Sequence, residues 1–153
     1  MDTLIIVGAK YLFAAILLFA IAPLVWLPKD QKRNYVILGF GSAVLSIILT
    51  KLAGLCYVDP RPFTQGVHAL MEHEADNGFP SDHTVLSVTA ALLCFRLNRE
   101  LGVAALLLAA IVGACRVLSG VHHPVDAFAG AAIGIVAVLA TGTVQRQLNL
   151  RGK

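Results

Sequence analysis

Three polar side chains near the start of the last apolar segment have the types and spacing that phosphoryl chemistry needs. Asp126 follows His122 by four residues, a spacing at which its carboxylate reaches back to an imidazole N–H. Such a carboxylate fixes the ring tautomer, and the other ring nitrogen stays free to attack an electrophile. Arg116 supplies a planar pair of donors that suits phosphate oxygens. Pro124 suits a first helical position, which predicts His123 as the N-cap, a capping or packing residue.

A second polar cluster lies in the stretch Phe79 to Thr84, immediately before an apolar run that begins at Val85. Polar side chains are costly at the start of a membrane helix, so we interpret these as functional. With Ser81 as N-cap, the amides of Asp82 and His83 would point at an anion. The cluster therefore predicts an anion site with a histidine beside it as proton donor.

Two more cations complete the set of candidates. Lys51 lies near the end of an apolar segment, and Arg61 follows it in the pair Arg61-Pro62. An ionised group inside a span costs about 2.5 to 3.5 kcal/mol on insertion scales, so charges in such positions are candidate functional residues. Together with the two clusters above, they predict phosphoryl transfer.

Zinc binding is the other common use of several histidines. The chain has no HExxH or CxxC pattern, and arginines beside a cation would be unfavourable, so we expect no metal and no cofactor. His68 and His73, which precede the polar stretch in the same loop, are interpreted as surface residues.

Composition identifies the kind of protein in which these residues lie. Of 153 residues, 58% are hydrophobic and 14% are charged, against about 25% charged in soluble domains, and the mean hydropathy is +0.78. This composition predicts a protein embedded in a lipid bilayer. The net charge of +3 is small and its basic residues are dispersed, so no nucleic-acid partner is expected. We expect a single transmembrane domain over residues 1–153, without a second soluble domain.

Five apolar segments predict an all-α, polytopic membrane bundle with about five transmembrane helices. They are Leu4 to Leu27, Tyr35 to Val58, Ser81 to Phe95, Leu101 to Leu118 and Pro124 to Val144. The first, second and fifth are long enough to cross a hydrocarbon core of about 30 Å, which takes roughly 20 helical residues. The third and fourth approach that length once the polar residues at one end are counted. The first segment is interpreted as an uncleaved span.

Basic residues in the connections predict the orientation, because positive charge marks the cytoplasmic side. Eight of the twelve basic residues lie in the first and third connections and in the tail. They are Lys29, Lys32, Arg33, Arg96, Arg99, Arg146, Arg151 and Lys153. The C-terminus is then cytoplasmic, the N-terminus is outside, and the polar clusters share the outer face of the cell (inner) membrane.

The spacing Arg116-x5-His122-x3-Asp126 resembles the third motif of the type 2 phosphatidic acid phosphatase family, which shares its pocket with vanadium haloperoxidases. Pro80-Ser81-Asp82-His83 resembles the second motif, in which glycine usually follows the serine, and Arg61-Pro62 resembles the end of the first. The stretch Asp76 to Thr84, with Pro60 to Phe63 before it, is most similar to the bacterial undecaprenyl pyrophosphate phosphatase branch. The resemblance covers about half of the chain.

The resemblance implies a role for each matching residue. His122 would be the nucleophile that forms a phosphohistidine, with Asp126 as its orienting partner. His83 would protonate the leaving group and later activate water. The phosphate would be held, without a metal, by Arg61, Arg116, Ser81 and neighbouring amides.

Two residues depart from the family pattern. The family has six residues between its lysine and Arg-Pro, whereas nine separate Lys51 from Arg61, so a phosphate contact by Lys51 is a hypothesis. Asp82 replaces glycine and adds a negative charge beside the phosphate. It is protonated, binds an arginine or orients His83, and these three hypotheses stay open. The family also commonly has six spans, one more than predicted here.

These residues predict a membrane lipid phosphatase whose lipid-anchored substrate enters the site from the side. We expect hydrolysis of a polyprenyl (undecaprenyl) pyrophosphate to the monophosphate and inorganic phosphate. The alternative within enzymes is a phosphatase of another lipid, such as phosphatidic acid, phosphatidylglycerol phosphate or a prenyl monophosphate. The alternative from another class is a non-catalytic lipid-phosphate binder or transport component. Oligomeric state, lipid chain length and transferase activity stay open.

Overall fold

The computed structural model describes residues 1–151, which form helices and loops with no β-strand among them. Six α-helices follow one another along the chain: α1 (Asp2–Lys10), α2 (Leu12–Ile21), α3 (Lys29–Cys56), α4 (Asp82–Leu97), α5 (Arg99–Leu118) and α6 (Pro124–Arg151). Short 3-10 turns cover Ala22–Val25 and Pro62–Gln65. The all-α prediction is confirmed for the described part of the chain. Lys153, counted above among the cations of the tail, lies outside it.

Several predicted segments differ from the observed helices at their ends. The last helices are longer than predicted, so Arg96 lies in α4, Arg99 begins α5, and Arg146 and Arg151 lie in α6, which corrects their assignment to a connection and a tail. Tyr11 divides the first segment into α1 and α2, because its backbone leaves the helical region at φ −120° and ψ −24°. Pro28 is the N-cap of α3, so this helix begins earlier than predicted. Lys29, Lys32 and Arg33 therefore lie in the first turns of α3 and not in a loop, which corrects that part of the prediction.

Four helical stretches are long and apolar enough to cross a membrane: Asp2–Val25, Lys29–Cys56, Arg99–Leu118 and Pro124–Leu150. The remaining helix, α4, has 16 residues. At 1.5 Å per residue it is about 24 Å long, shorter than a hydrocarbon core of about 30 Å. Length and composition thus support four of the five predicted spans, as expected of an integral membrane protein. The fifth span and the orientation stay predictions.

The short helix α4 is the centre of the bundle. It packs against α2, α3, α5 and α6, and nine of its sixteen residues are buried. The main apolar cluster joins all three of α2, α4 and α5, through residues that include Ile16, Val88, Ala91, Ala109 and Val112. Because its neighbours surround it, α4 needs no long lipid-facing apolar stripe.

Small residues let α6 approach α4 closely. Gly130 and Gly134 lie about one turn apart on α6. A Cβ at Gly130 would lie 2.8 Å from the Ser81 carbonyl oxygen, and one at Gly134 would lie 3.0 Å from the Val85 carbonyl oxygen. Such a small-residue contact fixes the starts of α4 and α6 against each other.

Gly130→Ala is expected to lower the free energy of unfolding by about 1 to 3 kcal/mol, because its methyl group overpacks the contact with α4. Gly142→Ala, on the same helix, is the matched control, since a Cβ there meets Leu38 Cδ1 at an ordinary 3.7 Å. Alanine also favours the helix over glycine. Thermal unfolding of both variants in detergent measures the difference, and equal midpoints would contradict the close packing.

Candidate active site

The ends of four helices and one loop meet at one end of the bundle. The C-termini of α3 and α5, the N-terminus of α4, the loop from residue 57 to residue 81 and His122 just before α6 surround a pocket of about 390 Å³. Its charged and titratable lining residues are Lys51, Arg61, His73, Asp76, Asp82, His83, Arg116 and His122. A larger groove between α5 and α6, about 560 Å³, is apolar, and none of the described residues that line it is titratable. The smaller pocket is therefore the candidate active site.

His122 and Asp126 form a buried pair. His122 Nδ1 lies 3.2 Å from Asp126 Oδ2, which also accepts a 2.8 Å hydrogen bond from the His123 backbone N–H. Because an ionised carboxylate only accepts, the imidazole carries its proton on Nδ1. Asp126 is 0% exposed and His122 is 3% exposed. The lone pair of His122 is thus on Nε2, the nitrogen directed away from Asp126.

Two arginines face this unprotonated nitrogen. His122 Nε2 lies 3.3 Å from Arg61 Nη1 and 3.1 Å from Arg116 Nη2. Arg61 also donates to the Val121 carbonyl oxygen at 2.9 Å and pairs through Nε with Asp76 Oδ1 at 2.7 Å. An electrophile that replaces the arginine contacts of His122 would meet a nucleophilic nitrogen and two cations at one point.

The surrounding charges keep His122 neutral. Burial lowers the pKa of His122, and although the hydrogen bond to Asp126 opposes this shift, the charges of Arg116 and Arg61 lower the pKa further. Burial works to raise the pKa of Asp76, but its hydrogen bond to Arg61 and the Arg61 charge hold that pKa below its ordinary value. Near neutral pH the pocket therefore contains a neutral imidazole and an ionised carboxylate paired with arginine.

At the start of α4, Ser81 has the predicted N-cap position, and the anion site there stays a prediction. Ser81 is the N-cap but makes no side-chain cap hydrogen bond. Its Oγ accepts from Thr84 Oγ1 at 3.1 Å, and its backbone N–H donates to the Asp126 carbonyl oxygen at 3.1 Å. Ser81 is fully buried behind the pocket wall. His83 does line the pocket, with its ring edge-on to Phe13 and the ring centroids 4.5 Å apart.

Lys51 and Asp82 lie at the rim of the pocket. Both are exposed, and both also line a mostly apolar groove of about 290 Å³ between α3 and α4. In the part of the chain that the structure describes, neither belongs to an ion pair. The role of Asp82 beside the phosphate therefore stays a prediction, as does the phosphate contact of Lys51.

Sequence comparison assigns these residues to a family. The profile of the PAP2 superfamily matches residues 34–149. The chain belongs to the PAP2 superfamily. It is 40% identical over 117 residues to the bacitracin transport permease protein BcrC of Bacillus licheniformis, covering 74% of this chain and 58% of that one. It is 32% identical over 140 residues to the undecaprenyl-diphosphatase BcrC of Bacillus subtilis (strain 168), covering 89% of this chain and 70% of that one.

A solved structure shares the PAP2 fold found here. LpxE of Aquifex aeolicus superimposes with a TM-score of 0.65 at 24% identity, over 93% of this chain and 85% of that one. The superfamily match includes every sequence-predicted site residue, from Lys51 to Asp126. The chain spans just over half the length of the B. licheniformis relative, 58%.

Besides Asp76, which pairs with Arg61, the sequence did not predict His73 and Asp59 as site residues of this PAP2 chain. His73, interpreted as a surface residue, lines the pocket, and its Nε2 lies 3.0 Å from Arg116 Nη2, so that interpretation was wrong. Asp59 Oδ2 lies 2.9 Å from His123 Nδ1, which gives His123 a partner in addition to its place before α6. The sequence feature that could have indicated Asp59 is its position two residues before Arg61. Contacts made by loops do not recur with a regular spacing in the sequence, so no other pattern indicates them.

Three ligand atoms, from Asp59, His123 and Asp126, lie within 4.8 Å of one another, close enough to share a cation. In the structure the same residues bond to each other: His123 Nδ1 contacts Asp59, and the His123 backbone N–H donates to Asp126. Asp126 is also the partner of His122. The expectation that this PAP2 site binds no metal stays a prediction.

One asparagine closes the loop that delivers Arg61 to the PAP2 site. The Oδ1 atom of Asn77 accepts from two backbone N–H groups and its Nδ2 donates to two backbone carbonyls, all at 2.9 to 3.1 Å. The partners are Asp59 and Phe79 as donors, and Gly54 and Tyr57 as acceptors. Asn77 also forms an isolated antiparallel bridge with Pro60. A single side chain thus joins the end of α3 to both halves of the loop.

Proposed function

We propose that this PAP2-superfamily protein is a membrane lipid phosphatase that hydrolyses a polyprenyl (undecaprenyl) diphosphate to the monophosphate and inorganic phosphate. The observation that carries the proposal is His122 Nε2, 3.3 Å from Arg61 and 3.1 Å from Arg116, with Nδ1 on Asp126. A nucleophilic nitrogen between two cations suits a phosphoryl group, whose charge is spread over its oxygens.

The proposed reaction has two steps. His122 Nε2 attacks the terminal phosphorus, the bond from phosphorus to the departing lipid phosphate breaks, and a phosphohistidine forms. His83, on the pocket wall, protonates the departing oxygen. It then takes a proton from water, whose oxygen attacks the phosphohistidine, and this releases inorganic phosphate and restores His122.

Arginine supplies the charge stabilisation in this mechanism. Arg61 and Arg116 offset the negative charge on the phosphoryl oxygens, as a metal ion does in other phosphatases. Both side chains converge on His122. We therefore propose that the reaction needs neither a metal nor another cofactor.

A lipid substrate accounts for the position of the pocket. The pocket lies at the end of a bundle with four helices apolar enough to cross a membrane. The groove between α3 and α4 shares Lys51 and Asp82 with it. A hydrocarbon chain in that groove would keep its place in the bilayer while the headgroup enters the pocket. The name of the B. subtilis relative, undecaprenyl-diphosphatase, supports a diphosphate headgroup.

We also propose that residues 1–153 are one domain whose active site faces the extracytoplasmic side of the cell (inner) membrane, with the N-terminus outside and the C-terminus cytoplasmic. Basic residues support this orientation, because they lie at the end of the bundle opposite the pocket. They are Lys29, Lys32 and Arg33 at the start of α3, and Arg96 and Arg99 where α4 meets α5. Positive charge favours the cytoplasmic side.

A substrate panel tests the function, with purified protein in detergent and an excess of EDTA. We expect phosphate release from undecaprenyl diphosphate that EDTA does not reduce. For phosphatidic acid, phosphatidylglycerol phosphate and undecaprenyl monophosphate, we expect kcat/KM to be at least about tenfold lower. Preference for another lipid would overturn the substrate, and loss of activity in EDTA would overturn metal independence.

Binding without turnover is the second candidate, because the B. licheniformis relative is named a transport permease protein. Such a protein would use the same arginines and have no need of a nucleophile. Retention of labelled undecaprenyl diphosphate with no phosphate release, unaltered by His83→Ala, would favour binding. Phosphate release by the wild-type protein that His83→Ala reduces would exclude it.

A further inference from the structure

Arg116 is a buried cation that no carboxylate neutralises by direct contact within the described residues. Its Nη2 contacts the unprotonated nitrogens of two imidazoles, His73 at 3.0 Å and His122 at 3.1 Å. Its Nε is buried without a hydrogen-bond partner. Arg61, by contrast, is paired with Asp76. Burial of a charge with only neutral acceptors is costly, so this arrangement favours the arrival of an anion.

The loop segment that carries His73 is anchored both before and after this residue. Before it, Met71 is buried in an apolar cluster, and the Leu70 backbone N–H donates to the Ser119 carbonyl oxygen at 3.0 Å. After it, Asn77 ties the loop to the end of α3. These anchors hold His73 against Arg116 as a defined part of the pocket wall.

The hydrogen bonds of His73 define its tautomer. Nδ1 lies 3.3 Å from the Glu74 carbonyl oxygen, which only accepts, so Nδ1 carries the proton and Nε2 accepts from Arg116. The ring centroids of His73 and His122 are 6.3 Å apart. His73 Nε2 therefore occupies a position where an oxygen of a phosphoryl group on His122 would meet Arg116.

We propose that His73 is a further phosphate-binding residue of this site and that it binds the phosphoryl group as an imidazolium. A phosphate oxygen replaces His73 Nε2 as the acceptor of Arg116. The ring takes up a proton on Nε2 and donates it in a hydrogen bond to the bound phosphate. This role rests on the proposed function, because it assigns one more contact to the same substrate phosphate.

The charges around His73 set the sign of the expected pH dependence. Burial lowers the pKa of His73 in the free protein, and the charges of Arg61 and Arg116 lower it further, against smaller opposing effects of the Glu74 carbonyl and of Asp76. The other charged and titratable groups that line this pocket are Lys51, Arg61, Asp76, Asp82, His83, Arg116 and His122. A phosphate dianion between the arginines reverses their effect, so the pKa of His73 rises in the complex.

Phosphate binding is then linked to uptake of one proton by His73. Affinity increases as the pH falls through the pKa that His73 has in the complex. It levels off below the lower pKa of the free ring, where both states are protonated. The linkage is lost when a side chain that does not titrate replaces the imidazole.

Inorganic phosphate is the probe, titrated calorimetrically into the full chain in detergent across this pH range. Near pH 6 we expect His73→Gln to bind phosphate about tenfold more weakly than wild type, because it lacks one charge-assisted hydrogen bond. Near pH 8.5, where the wild-type ring is neutral, we expect the two affinities to agree within about twofold. His68→Gln is the matched control, because His68 is an exposed histidine of the same loop that does not line the pocket. The titration of phosphate itself is common to all three proteins and cancels in the comparison.

A second measurement uses the wild-type chain and does not depend on the folding of a variant. Carbon-13 NMR of labelled histidines gives the pKa of the His73 ring, whose signal is identified by its absence in His73→Gln. We expect that pKa to be higher with phosphate than without. An unchanged pKa, or a His73→Gln binding profile that runs parallel to that of wild type at every pH, would overturn the proposal.

Failure of this proposal and failure of the proposed function give different results. Hydrolysis of undecaprenyl diphosphate by wild type, together with a pH-independent effect of His73→Gln, overturns the role of His73 alone. Absence of hydrolysis for every lipid in the panel overturns the proposed function. Absence of phosphate binding by a wild-type chain that does hydrolyse the lipid overturns the role of His73 alone.

Discussion

Exchange of His122 for alanine is expected to reduce phosphate release by about 10⁴-fold or more, because it removes the atom that we propose forms the new bond to phosphorus. The geometry singles out this ring: Nε2 lies between Arg61 and Arg116 while Nδ1 contacts Asp126. Initial rates of the purified variant and of wild type, in the same detergent and at the same lipid concentration, measure the effect.

His68→Ala is the matched control for this exchange, since it removes an exposed histidine outside the pocket. It is expected to keep the wild-type rate. Rapid quenching with labelled substrate should also trap an acid-labile, base-stable phosphoprotein in wild type and none in His122→Ala. Activity of His122→Ala within about tenfold of wild type would contradict the phosphohistidine mechanism.

Exchange of Arg116 for lysine is expected to lower kcat/KM by about 10²- to 10³-fold, although the charge is kept. The buried guanidinium presents Nη2 to both His122 and His73, at 3.1 and 3.0 Å. A lysine ammonium is a point charge without the planar pair of donors, and it cannot hold two phosphate oxygens in the same geometry. Steady-state kinetics with undecaprenyl diphosphate measure the loss.

Arg99→Lys makes the same chemical change at an exposed position. Arg99 is the first residue of α5, at the end of the bundle opposite the pocket. This exchange is expected to leave kcat/KM unchanged. If Arg116→Lys lost less than about threefold, positive charge alone would suffice at this position. The planar geometry assigned to Arg116 would then be wrong.

The lengths of the apolar segments and the residues that begin and end helices account for most of the fold that the sequence predicts. The boundaries at Leu118 and Pro124 agree with the structure, because apolar runs end there and proline suits the first turn of a helix. The division of the first segment at Tyr11 is not visible in composition, since apolar residues continue on both sides. The central place of α4 is likewise a property of packing between helices.

In the candidate site, too, contacts between residues close together in the sequence were easier to predict than contacts between distant residues. The pair His122 and Asp126 is local, four residues apart near one helix start, and its contact follows from spacing. The contact of Arg61 with His122 joins residues 61 positions apart. Their shared site was predicted from the topology, which places both on the outer face, and from the family resemblance. His73 reaches Arg116 through the path of an irregular loop, which has no periodic signature, so the sequence could not place it.

The four hydrogen bonds of Asn77 make the loop over the pocket a separate unit of stability. The helices are held by buried apolar clusters, whereas this loop is held by the Asn77 side chain, by Met71 and by a few polar contacts such as Leu70 N–H to the Ser119 carbonyl oxygen. Segments held by few contacts open at lower free energy than a core does. Loss of the Asn77 hydrogen bonds would loosen this loop while every helix stays folded. The stability of the loop over the pocket would thus differ from that of the helix bundle beneath it.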